Sequence, residues 1–414
     1  MLTITEALEQ VLNQTKTRQA ETVLLADCHN CVLAADLATP HESPPFDKSM
    51  MDGFAVDSRT VFESGVTELS VLETITAGTL PTQRPGAGTA CRIMTGAPMP
   101  QGADCVVPIE KTSFSDEQPK VVRITPEHVA SERHVLRKGA SATAGTDLLA
   151  GGTPLKPQHI AVLAEFGLSS VDIIPQSRVA ILATGDELIP SSEPLTPGRI
   201  RNSNEPMLVA QVQRAGGIPV PLGIARDDAE QLSVGISAGL KCDVLLLSGG
   251  VSAGTLDLVP AQLAAAGVRQ VLHGIHMKPG KPLWFGAART GHGLCLVFGL
   301  PGNPVSSMVC FEMFVRPALK KLAGRTPHGP EMHPATLTEE ICVKGERPTC
   351  FPSLLCRTPE GLTATPVAWG GSADLKSTAL ANGLCLLEPV PGRYQAGDTV
   401  LVTAWDEVPR RTQS

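Results

Sequence analysis

Residues Val244–Asp257 read VLLLSGGVSAGTLD. An apolar run of four aliphatic residues ends abruptly in Ser-Gly-Gly, followed by Ser252, Gly254 and Asp257. Such a run, bounded by glycine, predicts a strand buried on both faces, as in a parallel sheet. Gly249 and Gly250 let the chain turn sharply and approach a ligand, because no Cβ stands in the way. In open α/β sheets, ligands bind just beyond the carboxyl ends of such strands. The stretch therefore predicts a phosphate- or nucleotide-type site carrying a carboxylate, Asp257.

The same rhythm extends on either side. From Arg178 onward, VAILAT, IPVPLGIA, DVLLLS, VRQVLHGIHM and GLCLVFG read as strands. Between them NEPMLVAQVQRAGG, DDAEQLSVGISAGL, DLVPAQLAAAG and SSMVCFEMFVRPALKKLAG read as helices. Alternation of this kind predicts a parallel sheet with helices on both faces and right-handed crossovers. After Pro327 the helical pattern fades, and CFPSLL, GLTATPV, LCLLEPV and DTVLVTAW predict a small β-barrel or sandwich.

The N-terminal part differs. Residues 1–40 read as helical, including LLADCHNCVLAADL, until Thr39-Pro-His-Glu-Ser-Pro-Pro breaks the pattern. From there to Gly139, AVDS, ELSVLETI, ACRIMTG, DCVVPIE and KVVRIT predict a small, mostly β domain. A glycine-rich stretch and the helix PQHIAVLAEFGL lead on to residue 175, so the β domain reads as an insertion. The expected division is 1–40 with 140–175, then 41–139, 176–326 and 327–414. At 414 residues the chain exceeds one ordinary domain.

Composition excludes several classes. Hydrophobic content of 42% with 18% charged residues fits a globular chain, and no apolar stretch is long enough to span a bilayer. MLTITEALEQVL lacks a basic start and a signal-type apolar core, so a cytoplasmic location is expected. A net charge of −7 without a dense Lys/Arg block argues against a nucleic-acid partner, and 3% aromatics argues against a base-stacking surface. Of 11 cysteines, Cys242, Cys295, Cys310 and Cys385 lie in apolar runs and read as small hydrophobes. Cys28-His-Asn-Cys31 has metal-type spacing, but no second such pair follows, and a buried helix face is the simpler reading.

Several turns carry chemistry. Thr184-Gly-Asp186-Glu187-Leu188 puts two acids at a strand's end, although capping of the next turn explains Asp186 equally well. Arg226-Asp227-Asp228 and Asp257 likewise precede helices and read as acids of one crevice or as separate caps. Clustered carboxylates facing phosphates suggest Mg²⁺, which takes oxygen ligands. Lys278-Pro-Gly-Lys281-Pro282 frames two cations rigidly, where a plain surface turn needs no such framing. Gly299-Leu-Pro-Gly-Asn-Pro304 leads through Val305-Ser306-Ser307 into a helix, whose free N–H groups favour an anion. Two lysines, serines and a helix N-terminus suit an oxyanion. The loops around Asp52 and Thr95 support no reading on their own.

Taken together, PPFDKSMMDGFAV, RIMTGAPMPQGADCVV, TGDEL, RNSNE, RDD, SGGVSAGTLD, MKPGKPLWFG and GLPGNPVSS resemble the MoeA family of molybdopterin molybdenumtransferases, which includes the E domain of gephyrin. The likeness spans Pro44 to Ser307, with weaker similarity on both sides. It implies an α/β multidomain fold. A central parallel-sheet molybdopterin-binding domain would carry helices on both faces. An inserted mostly-β lid domain, a helical/β linker domain and a C-terminal β-barrel-like domain would complete it. It implies a homodimer whose cleft joins the molybdopterin-binding domain of one protomer to the lid of the other. The implied reaction is the last step of molybdenum cofactor synthesis. Molybdate and adenylylated molybdopterin enter, AMP leaves with Mg²⁺ assistance, and transient contact with the adenylyltransferase and with molybdoenzymes is expected.

Carried over by motif, the resemblance assigns molybdate binding to Lys278, Lys281 and Ser306, and by looser alignment to Arg347 and Ser372. It assigns Glu187, Asp228 and Asp257 to the nucleotide, pterin and metal side, with Glu187 and Asp257 as expected Mg²⁺ ligands. Thr184, Asp186, Gly249, Gly250, Ser252 and Thr95 are expected substrate contacts. Asp52, Glu187 and Asp257 are the expected catalytic acids. The family's acidic pair after the lid is replaced here by Ala140-Ser141, so no role is transferred there. Two alternatives are an adenylyltransferase of the same pathway and a non-catalytic gephyrin-like scaffold. The inserted and C-terminal domains argue against the first, and the complete loop set against the second.

Overall fold

The computed structural model describes residues 1–64, 67–115, 117–251, 258–343, 345–389, 393–405 and 407–410. Two compact units emerge, one of Met1–Ala34, Gly152–Lys156 and Ser170–Ser414, the other of Ala35–Gly151 and Pro157–Ser169.

The larger unit is built on a six-stranded sheet. Its order is Ile218–Ala225, Arg178–Thr184, Val244–Ser248, Gly293–Leu300, Trp284–Thr290, Arg269–His273. Strand Val244–Ser248 is buried throughout, and period-two alternation splits its side chains between two cores. Val244 and Leu246 pack with Leu208 and Val212 of helix Asn204–Arg214 and with Val305 and Val309 of helix Pro304–Cys310. Leu245 and Leu247 pack with Leu232, Ile236, Val259 and Leu263 of helices Ala229–Gly239 and Val259–Ala265. Each buried leucine contributes roughly 1.5–3 kcal/mol, so a polar residue in this strand would cost both layers their packing.

The sheet is parallel across its first four strands only. The strand Trp284–Thr290, unforeseen in the sequence, pairs antiparallel with both neighbours. Only Gly291 and His292 separate it from Gly293–Leu300. So short a link can close a hairpin but not a parallel crossover.

A second correction concerns residues 15–40. Helix Ile4–Gln14 forms, closed at its start by a Thr3/Glu6 capping box, and buries Ala7 and Val11. The following stretch is not helical. Glu21–Leu24 and Val32–Leu33 are strands on either side of Ser170–Ile174. Cys28 and Cys31 lie in the turn between them, where Leu25–Asp27 forms one 3-10 turn. The apolar spacing of LLADCHNCVL suits a helix, but antiparallel pairing with a distant strand overrides it.

The C-terminal part is a closed five-stranded barrel, ordered His333–Leu337, Gly361–Pro366, Thr349–Thr358, Gly383–Leu387, Thr399–Ala404. Leu337, Leu355, Ala364, Leu387 and Val402 fill it. In the smaller unit a six-stranded sheet contains Gly53–Val56 between Cys105–Pro108 and Thr89–Ile93. Phe54 and Val56 enter one core and Ala55 the other, so both faces of that strand are covered. No helix among the described residues is long and apolar enough to cross a membrane.

Candidate functional site

At the carboxyl ends of the central strands, the turns that follow Thr184, Ala225 and Ser248 lie on neighbouring strands. Gly249 and Gly250 follow strand Val244–Ser248 with φ of 101° and 64°. A Cβ on Gly249 would lie 2.5 Å from the Thr184 carbonyl oxygen, and one on Gly250 would lie 3.0 Å from Thr184 Oγ1. A side chain at Gly249 would run into backbone and one at Gly250 into the Thr184 and Val259 side chains, both at a positive φ that favours glycine. Thr184, itself buried, thus forms the floor under the turn. Ser252 and Asp257 lie outside the described residues.

Gly185 continues from Thr184, and Asp186 and Glu187 stand exposed beyond it. The Glu187 carboxylate folds back so closely that a Cβ on Gly185 would sit 2.6 Å from Glu187 Oε2. Asp186 Oδ1 accepts from the Asp227 N–H at 3.3 Å, tying this turn to the end of strand Ile218–Ala225. Asp228 is an N-cap: its Oδ1 accepts from the N–H groups of Glu230 and Gln231, each at 3.0 Å. The capping alternative is therefore occupied at Asp228 and accounts for its position. Asp186 and Glu187 supply hard oxygen donors open to water. That is the donor type Mg²⁺ accepts alongside substrate phosphates, although no cluster of three or more metal-ligating side chains forms among the described residues.

A second cluster gathers around Lys278-Pro-Gly-Lys281. The loop is pinned to the barrel: Lys278 N–H donates to the Pro348 carbonyl at 2.8 Å, and the Lys278 carbonyl accepts from Cys350 N–H at 2.7 Å. Arg347 Nη1 donates to the Met277 carbonyl at 3.0 Å, which places its guanidinium beside the same loop. Lys278 is half-buried and Lys281 exposed, and Lys281 makes no ion pair among the described residues. Beneath the loop, Cys310 Sγ donates to the Gly280 carbonyl at 3.7 Å. A Cβ on Gly280 would lie 3.9 Å from the carbonyl oxygen of buried Ser306, so loop and helix are in contact.

The barrel contributes Ser372 to the start of that helix. Asn303, at the N-cap of Pro304–Cys310, does not cap through its side chain. Its Nδ2 donates instead to Ser372 Oγ at 3.0 Å, while Val305 N–H donates to the Ser372 carbonyl at 3.1 Å. Lys278, Lys281, Ser306, Arg347 and Ser372 are thereby brought to one loop and one helix N-terminus. Lysine, arginine and serine side chains of this kind hold small polyanions through charge and directional donors.

In the smaller unit, Asp52 Oδ1 accepts from Thr95 Oγ1 at 2.6 Å and from Thr95 N–H at 2.7 Å. These bonds, the hydroxyl's first, hold the Asp52 carboxyl below its ordinary pKa. Both residues are exposed, so the anion is fixed in direction while open to solvent.

The buried thiols are poor nucleophiles. Burial pushes Cys295 and Cys350 up to about 12 and Cys385 to about 11. Burial also raises Cys28 and Cys31. Sequence reasoning missed Asn303 and the buried Asn204 of RNSNE. A carboxamide at a helix start reads as a cap, and only its inward direction reveals another role.

Comparison with known proteins agrees along the whole length. Residues 2–167 match the MoeA N-terminal region (domain I and II), residues 180–321 a probable molybdopterin binding domain, and residues 334–405 the MoeA C-terminal region (domain IV). The molybdopterin molybdenumtransferase of Bacillus subtilis (strain 168) is 36% identical over 405 residues, covering 96% of this chain and 93% of its own. That of Staphylococcus aureus (strain MRSA252) is 33% identical over 409 residues, covering 96% and 94%. The crystal structure of a molybdopterin biosynthesis MoeA protein from Pyrococcus horikoshii superposes with a TM-score of 0.80 at 29% identity, covering 98% of this chain and all of its own.

Proposed function

This chain belongs to the MoeA family of molybdopterin molybdenumtransferases, and from that premise we propose that it inserts molybdenum from molybdate into adenylylated molybdopterin with release of AMP. The observation that carries the reading is the convergence of Lys278, Lys281, Ser306, Arg347 and Ser372 on one loop and one helix N-terminus. Molybdate is a tetrahedral dianion, and this set offers it both charge and donors.

The neighbouring turn receives the other substrate. Gly249 and Gly250 present bare backbone to the phosphates beside Thr184 and Asp186, and by resemblance Asp228 and Ser252 contact the same substrate. Breaking the adenylyl anhydride develops negative charge on the departing AMP, which must be neutralised. Mg²⁺, held by Glu187 and Asp257, would supply that neutralisation when bound. Asp52 and Thr95 of the inserted domain serve the same reaction by resemblance. The dithiolene of the substrate provides the sulfur ligands for molybdenum, so no protein thiol is required.

The working protein is read as a cytoplasmic homodimer that meets the adenylyltransferase and molybdoenzymes transiently. Segments 1–40 and 140–175 are assigned to dimerisation, 41–139 to the lid, 176–326 to molybdopterin binding and 327–414 to the barrel. An adenylyltransferase or a scaffold is disfavoured, because relatives aligned over 96% of the chain carry the transferase name.

The test is incubation with adenylylated molybdopterin, molybdate and Mg²⁺, following AMP and active cofactor. Molybdate-dependent formation of both is expected. AMP formed no faster than without protein, or active cofactor formed without regard to molybdate, would refute the reading.

A further inference from the structure

Asn204 is the first residue of helix Asn204–Arg214, yet its side chain faces inward and the residue is only 9% exposed. Both amide hydrogens are used. Nδ2 donates to Ser248 Oγ at 2.6 Å and to the Gly302 carbonyl at 2.8 Å. Ser248 ends the strand that runs into Gly249–Gly250, and Gly302 lies in the turn before helix Pro304–Cys310. These turns lie against each other: Gly249 N–H donates to the Leu300 carbonyl at 3.1 Å, and a Cβ on Gly302 would lie 3.7 Å from Gly249 Cα. A single carboxamide therefore bolts the phosphate-side turn to the oxyanion-side turn.

The bolt is costly. Asn204 Oδ1 is buried and has no hydrogen-bond partner among the described residues. A buried orphan acceptor is unfavourable, and an apolar side chain would pack a strand against a loop more cheaply. Nor does the helix need it as a cap, since Asn202 Oδ1 accepts from the Glu205 N–H at 3.2 Å. What a short, two-pronged donor provides and an apolar contact does not is a fixed distance and direction between two backbone turns.

We propose that Asn204 is a positioning residue for the transfer, setting the separation between the turn that receives the adenylyl-pterin phosphates and the pocket that holds molybdate. The inference rests on the reaction proposed above. Asn204 is buried and spends both donors on the two turns, so affinity for each substrate alone is expected not to depend on it. The rate of the joint reaction does, because misplacement by about 1 Å can slow a reaction roughly 100-fold.

Two variants test this: Asn204→Asp, which keeps the shape and removes both donors, and Asn204→Ser, which is smaller and retains one. Each is measured for thermal midpoint, binding of molybdate alone, binding of adenylylated molybdopterin alone, and single-turnover AMP release with both present. The expected result is near-parental binding of each substrate alone, a midpoint lowered by the buried carboxylate in Asn204→Asp and near-parental in Asn204→Ser, and AMP release by the folded protein slowed roughly 100-fold in Asn204→Asp and less in Asn204→Ser. AMP release at the parent rate would overturn the inference while leaving the function intact. So would a loss that merely tracks weakened binding or folding, and so would two variants that do not fold, which would make Asn204 a residue of the fold alone. A parent protein inactive with both substrates would overturn the functional reading and this inference with it.

Discussion

Gly280→Ala probes whether packing fixes the spacing of the two lysines that flank it. Gly280 has φ of 110°, and holding alanine there costs on the order of 1–3 kcal/mol. A Cβ would lie 2.6 Å from Met277 Cε and 2.7 Å from Cys310 Sγ, and both residues are fully buried. Overpacking of this kind adds about 1–3 kcal/mol. Together the two effects amount to roughly 2–6 kcal/mol, enough that the loop is expected to shift and carry Lys278 and Lys281 apart. Cys310→Ala removes one of the two clashing atoms but leaves the dihedral strain. The double variant should therefore recover about 1–2 kcal/mol beyond additivity, and not the whole loss. Urea unfolding followed by tryptophan fluorescence reads the stability, helped by Trp284 buried in the central sheet. Titration with molybdate reads the function, and affinity should fall about tenfold or more in Gly280→Ala. A single variant that unfolds and binds like the parent would refute the argument. So would strict additivity with Cys310→Ala, since the thiol would then not be what the loop rests on.

Three further outcomes are expected. Lys278→Ala should abolish molybdate-dependent cofactor formation while keeping the thermal midpoint, because the backbone bonds of Lys278 to Pro348 and Cys350 remain; normal turnover at low molybdate would sink the assignment. Glu312→Ala should destabilise the larger unit by about 3 kcal/mol. Glu312 is 3% exposed and bonds Arg214, Arg316 and Gln211, while both arginines keep about 30% of their surface in water, which moderates the loss. An unchanged urea midpoint would contradict this. Thr95→Val removes the hydroxyl that lowers the Asp52 pKa most, so that pKa should rise towards the ordinary carboxylate value. A depressed carboxylate contributes stability above its unfolded pKa and loses it as pH falls through the folded one. In the variant the contribution is smaller and disappears at a higher pH. An NMR titration of the Asp52 carboxyl that did not move would refute the bond's role.

Strand and helix order in the central domain was legible because its strands are short apolar runs punctuated by glycine, and such runs have few alternatives. The strand Trp284–Thr290 was hidden within LWFGAART, where two glycine-framed motifs drew the reading towards a loop. Cys28 to Leu33 misled in the opposite direction. Its apolar spacing suits a helix face, and only pairing with Ser170–Ile174, far along the chain, makes Val32–Leu33 a strand. The lysine loop was legible because proline and glycine fix it locally. The placement of Arg347 and Ser372 was not a local property, since it depends on how the barrel docks at Pro348 and Asn303. Asn204 was quoted within a motif but given no role, because burial of a helix-start carboxamide is decided by neighbours remote in sequence.

The bond from Asn303 to Ser372 also bears on the protein's synthesis. The lysine loop and the helix that follows it leave the ribosome well before residue 372 does, and domains fold in the order in which they emerge. At roughly 5–20 residues per second, the nascent chain carries a folded sheet with an unfinished anion pocket for on the order of ten seconds. During that interval it presents lysines without Ser372 and without the barrel that anchors Arg347. Competence arrives as a late, discrete event, when the barrel closes and seats itself.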